Sequence, residues 1–121
     1  MEDEQLVLRV KFYQTSSGRE PVREWLNSLA VQDRKTIGND IKTVQFGWPL
    51  GMPLVRKLEP GLWEVRSSLT DNIARVLFTV LGDIMVLLHG FIKKSQKTPQ
   101  SDLAVARKRL RHVLAEDEDD E

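Results

Sequence analysis

The chain has no cysteine, which excludes disulfides, thiolate catalysis and zinc–thiolate sites. Two histidines among 121 residues are too few to make a protein-held metal centre the expected source of chemistry. Long apolar runs are missing too: stretches such as 84–88 fall far short of the roughly 20 residues a membrane span needs, so no membrane partner is expected. Residues 2–4 are Glu, Asp and Glu, unlike the basic and then apolar opening of a secretory leader, and a cytoplasmic location is the expectation. At 121 residues there is room for one domain, spanning 1–121, and none for a cofactor-binding enzyme built from a long α/β repeat. No cofactor is therefore expected.

Hydrophobic residues make up 40% of the chain and charged residues 30%, enough to bury a core. The formal net charge of zero hides an asymmetry. Three acids lie at residues 2–4 and six at 116–121, so residues 6–115 hold all 18 bases against nine acids, a net charge of +9. Such a body attracts polyanions, nucleic acid foremost. The acidic block from about residue 116 reads as a solvated, disordered tail.

Residues 6–13 alternate apolar and polar side chains as a half-buried strand does. Pro21 suits a first helical turn, followed by Val22, Trp25, Leu26 and Leu29 at helical spacing. A second helix is expected from near Asp33 to Gly47, with Ile37, Ile41 and Val44 on one face. Residues 47–61 are rich in Gly and Pro and read as loop. Strands are expected at 62–68, 73–81 and 84–92, the last two joined by a Gly82-Asp83 hairpin turn. Thr98 and Pro99 open a last helix, with Leu103, Ala106, Leu110 and Val113 as its apolar stripe. The expected fold is α+β, a small antiparallel sheet with element order βααβββα.

The hairpin sets Leu81 opposite Ile84, and partners across an antiparallel pair share a face. Val80/Met85, Phe78/Leu87, Val76/His89 and Ala74/Phe91 are then expected on a core face with Trp63 and Val65. Leu77/Leu88 and Arg75/Gly90 fall on the other face with Leu62, Glu64 and Arg66, so Arg66 comes opposite or diagonal to Arg75. Two arginines side by side are unfavourable without an anion between them, and the arginine fork suits phosphate. The alternative is that each pairs with a local acid, Arg66 with Glu64 or Asp71. Arg56 and Lys57 precede these strands and Lys93, Lys94 and Lys97 follow them, all candidates for a basic rim. Trp48, flanked by Gly and Pro, is a candidate stacking surface, whereas Trp25, Trp63 and His89 read as core. His112 and the run Arg107, Lys108, Arg109, Arg111 read as solvated.

The motifs KLEPGLWEVR at 57–66, RVLF at 75–78, LLHGFIKK at 87–94 and Thr98-Pro99, in this order, resemble the phage-derived, HigB-like branch of the RelE/ParE toxin superfamily. The resemblance spans nearly the whole chain. It implies a RelE-like sheet with a concave basic face, the toxin role of a type II toxin–antitoxin pair, and endoribonuclease action on mRNA, in many relatives on the ribosome. It also implies a helix-turn-helix antitoxin as partner. By the same resemblance Arg66 and Arg75 hold and activate the scissile phosphate, and Lys93 and Lys94 supply the basic end of the last strand. Many relatives use a Tyr or His near the C-terminus as acid or base. The one tyrosine here is Tyr13, which leaves the proton-transfer group unassigned. The RNA 2′-hydroxyl is its own nucleophile, so the protein's task is to position the phosphate and stabilise the added charge, and no metal is required. The alternative function is a non-catalytic nucleic-acid-binding, regulatory or phage-derived module.

Overall fold

Val10 and Phe12 turn inward in β1 (Arg9–Phe12) while Arg9 and Lys11 stay exposed, the alternation of a half-buried strand. The structure is a computed structural model that describes residues 6–93 and 97–119. Pro21 opens α1 (Pro21–Ser28), a position whose N–H would have no helical partner in any case. Next, α2 (Val31–Gly47) buries Ile37, Ile41 and Val44 along one stripe. Four strands follow: β2 (Val55–Glu59), β3 (Leu62–Ser68), β4 (Ile73–Leu81) and β5 (Ile84–Lys93). After them comes α3 (Gln100–Asp119).

The order departs from the expected βααβββα by one strand. Residues 55–59, read from sequence as loop, pair antiparallel with β3. The prolines and glycines of this region flank the strand and so bound it without breaking it. A second correction concerns direction. The sheet runs β1-β5-β4-β3-β2, and β1 lies parallel to β5, so the sheet is mixed where an antiparallel one was expected. The helical pair α1–α2 supplies part of the long connection that a parallel neighbour demands.

Helices cover both faces. On one, Val22, Ile37, Ile41 and Val44 pack against Val55, Val65, Val76, Phe78, Met85 and Leu87. On the other, Leu103, Ala106 and Leu110 of α3 meet Leu62, Leu77, Val86 and Leu88. Each fully buried Val, Leu, Ile, Phe or Met among them contributes about 1.5–3 kcal/mol. A third correction is at the end of α3, which continues as helix through the exposed Glu116, Asp117 and Glu118 where a disordered tail was expected. His112 Nε2 lies 3.4 Å from Glu116 Oε2 one turn on, a contact that favours the helical turn.

The hairpin is as expected at its tip, with Gly82 at φ 61° and Leu81 opposite Ile84, and the pairs Val80/Met85 and Phe78/Leu87 follow. Then the register slips. Leu77 pairs with His89, leaving Leu88 as the extra residue of a β-bulge. Beyond it Val76 faces Gly90, Arg75 faces Phe91 and Ala74 faces Ile92. The expected pairs Val76/His89, Ala74/Phe91 and Arg75/Gly90 are therefore each off by one. Because side chains alternate, that single slip moves His89 and Phe91 to the α3 face and Gly90 to the α1 face.

Candidate nucleic-acid interface

On the α3 face, Arg66 and Arg75 are direct cross-strand partners, the closest of the expected arrangements. Arg56 pairs with Glu64 in the neighbouring row, and that row continues through Leu77 to His89. Four ionisable side chains from four strands and a fifth, Arg66, thus share one patch of sheet. Arg75 and Glu64 are both 0% exposed, and the Arg66 side chain is 10% exposed. Burial pulls the Arg75 guanidinium below its ordinary value; the Glu64 carboxylate opposes that shift, and the neighbouring charges of Arg66 and Arg56 add to it.

Glu64 supplies the local anion. Its Oε2 lies 4.0 Å from Arg66 Nε, so of the two acids weighed for Arg66, Glu64 and Asp71, the structure brings up Glu64. The Thr98 hydroxyl donates to Glu64 Oε1 at 2.9 Å, and Glu64 Oε2 has no hydrogen-bond partner among the described residues. Sequence reading treats Glu64 only as a counter-ion; its fixed place in the row beside Leu77 follows from the β3 alternation.

His89 is not a core histidine. The bulge turns it to the α3 face, where its Nε2 sits 2.7 Å from Asp102 Oδ1 and its ring stacks on Phe91 with centroids 5.6 Å apart. The two side chains are 18% and 16% exposed. Asp102 and Thr98 carry no sequence signal of this role, since their partners lie 13 and 34 residues away.

The other sequence candidates divide. Lys93 ends β5 opposite Ile73, two residues beyond Phe91 on the same side by alternation, and is exposed. Lys97 is exposed just before α3, and Lys94 lies outside the described residues. Lys57 is on the opposite face, its Nζ 5.9 Å from the Trp63 ring centroid. Trp48 is half-buried in an edge-to-face cluster with Trp63 at 5.1 Å and Phe78 at 5.6 Å, so it packs the α1–α2 side and is no open stacking platform. The pull of two aromatic neighbours outweighs its loop position.

Further along α3, three polar contacts tie the helix to the sheet. Arg107 forks onto the Glu59 carboxylate at 2.7–3.1 Å, Arg109 Nη1 donates to the Leu88 carbonyl at 2.8 Å, and Tyr13 bonds His112 Nδ1 through its hydroxyl at 2.8 Å. His112 and Arg107, read as solvated, are both part-buried through these contacts.

Residues 24–111 match the family described as phage-derived protein Gp49-like (DUF891), and this span holds every strand from β2 to β5 and the whole arginine cluster. The chain belongs to the Gp49-like family. That family is RelE-related and toxin-like, in a toxin–antitoxin context. A comparison with curated proteins finds no match. Among the described residues of this Gp49-like chain, no helix is long and apolar enough to cross a membrane.

Proposed function

We propose that this Gp49-like chain is the toxin of a type II toxin–antitoxin pair, of the HigB-like branch, held in check by a helix-turn-helix antitoxin. In this reading it is an endoribonuclease that cuts mRNA on the ribosome in the cytoplasm. The observation that carries the reading is the direct opposition of Arg66 and Arg75, with Glu64 and His89 on the same face. Arg66, at the edge of the cluster, takes the scissile phosphate, and the charge of the buried Arg75 beneath it adds to the field that stabilises the pentacoordinate state. The 2′-oxygen forms a bond to phosphorus while the bond to the 5′-oxygen breaks. The Glu64 carboxylate takes the 2′-hydroxyl proton and the His89 ring returns one to the leaving oxygen. Arg56, Lys93 and Lys97 extend the basic rim along the RNA backbone, with Lys94 beside them in sequence.

One observation favours a second reading. Glu64 and Arg75 are fully buried, as a structural ion network would be, which suits a non-catalytic nucleic-acid-binding or regulatory module. Translation reactions with ribosomes and labelled mRNA separate the two. Arg66→Ala is the cleaner variant, because removing Arg75 strands a buried carboxylate and threatens the fold. If Arg66 acts as an oxyanion-hole donor does, its loss lowers cleavage by about 10²–10³-fold. The wild-type products should carry 2′,3′-cyclic phosphates. Full cleavage by the variant, or products with 5′-phosphates, overturns the mechanism; RNA binding without cleavage by the wild type supports the second reading.

A further inference from the structure

We propose that Thr98 and Asp102, at the start of α3, are positioning residues that set which atom of Glu64 and which atom of His89 exchanges a proton. The inference rests on the reading of the cluster as an RNA-cleaving site.

The two residues are four apart where the chain enters α3, with the Leu103 N–H already bonded back to the Pro99 carbonyl at 3.0 Å. Thr98 precedes the helix and Asp102 lies in its first turn, and both side chains reach the sheet. Each reaches a different strand: Thr98 bonds Glu64 on β3, Asp102 bonds His89 on β5. Glu64 and His89 flank Leu77 in a single row of the sheet, so one turn of chain spans both.

The two contacts act on their partners in parallel ways. A carboxylate only accepts, so Asp102 demands the proton on His89 Nε2, and Nδ1 becomes the atom that gains or loses one. The Thr98 hydroxyl occupies Glu64 Oε1 and leaves the buried Oε2, 4.0 Å from Arg66 Nε, as the acceptor with no hydrogen bond among the described residues. Other contacts also hold α3 on the sheet. Leu103, Ala106, Leu110 and Val113 bury its stripe, and Arg107, Arg109 and His112 tie down its later turns. A pair of contacts from one helix start, placed on the two groups able to move protons on the face of the paired arginines, is the arrangement of an orienting shell.

The test uses the full-length protein with Asp102→Asn and Thr98→Val, both near-isosteric. The chain holds two histidines, so long-range nitrogen–proton NMR correlations at alkaline pH resolve each ring, and the signals that persist in His112→Gln belong to His89. Wild-type His89 should carry its proton on Nε2, and in Asp102→Asn a large part should move to Nδ1 as the new amide donates to the ring. Cleavage of mRNA should fall at least about tenfold in kcat for Asp102→Asn, with KM and the melting temperature little changed. Thr98→Val should lower kcat in the same manner. An unchanged His89 tautomer, or wild-type kcat in both variants, overturns the positioning role. If the wild-type protein cleaves no RNA, the parent reading falls, and the tautomer spectrum alone still decides whether Asp102 orients His89.

Discussion

Replacing Gly90 with alanine tests the bulge on which the site depends. A Cβ built at Gly90 meets Trp25 Cε3 and Cζ3 at 2.4 Å and Cδ2 at 3.0 Å. Carbon atoms pack best at about 3.5–4.0 Å, so the indole or the strand must move by roughly 1 Å or more. Neither moves freely, since Trp25 packs against the buried cluster of α1, α2 and the sheet, and Gly90 is bonded within β5. Overpacking of this kind costs typically about 1–3 kcal/mol, against which removing a strand glycine returns roughly 0.5–1 kcal/mol. At this contact the upper half of the cost applies, for a net loss of about 2 kcal/mol and a fall in melting temperature of roughly 8 °C.

Thermal and urea unfolding of four proteins close the cycle: wild type, Gly90→Ala, Trp25→Leu and the double variant. Leucine at 25 vacates the ring atoms, so alanine at 90 should be neutral to slightly stabilising in that background, a coupling of about 2–3 kcal/mol. The unslipped register read from sequence puts Gly90 on the α3 face beside Arg75, away from Trp25. There an alanine would cost the same in both backgrounds. Additivity of the two substitutions would refute the bulge, and with it the placement of His89 beside Arg75.

Two further outcomes follow from the contacts of α3. The fork from Arg107 holds the Glu59 carboxyl below its ordinary value of 4.5, so this contribution to stability is present above that value and is lost as the pH falls through the lowered one. Arg107→Ala should therefore melt below the wild type at neutral pH, with the gap closing on acidification; a gap independent of pH would show that packing, not charge, is what Arg107 contributes. Tyr13→Phe removes the hydroxyl bonded to His112 Nδ1 and should cost about 1 kcal/mol in urea unfolding, while a change to neither stability nor the His112 ring signals would discount that bond.

Alternation in residues 62–68 and 73–81, with the Gly82-Asp83 turn, suffices to place Arg66 and Arg75 on one face. Their exact opposition was one of two registers that the loop at 67–72 allowed. The missing parts were hidden for separate reasons. β2 lies among turn-formers, and its pairing with β3 is specified by Val55 opposite Val65, a contact no local window contains. The parallel neighbour of β1 is likewise non-local. The bulge at Leu88 is hardest to read because β5 is buried on both sides. In Met85-Val86-Leu87-Leu88 every residue suits either face, so a slip leaves no polar residue stranded to report it.

What betrays the slip is the pair His89-Gly90. Under the unslipped register a histidine sits in an aliphatic face and a glycine lies beside an arginine, and neither residue type suits its place. After the slip both do. Gly90 sits where Trp25 leaves no room for a Cβ, and His89 sits where Asp102 can meet its ring nitrogen. One extra residue in β5 thus satisfies the packing of α1 on one face and completes the polar row on the other. The same slip that fits Gly90 to α1 stands the imidazole on the arginine face, so the composition of the site is linked to a tryptophan on the far side of the sheet.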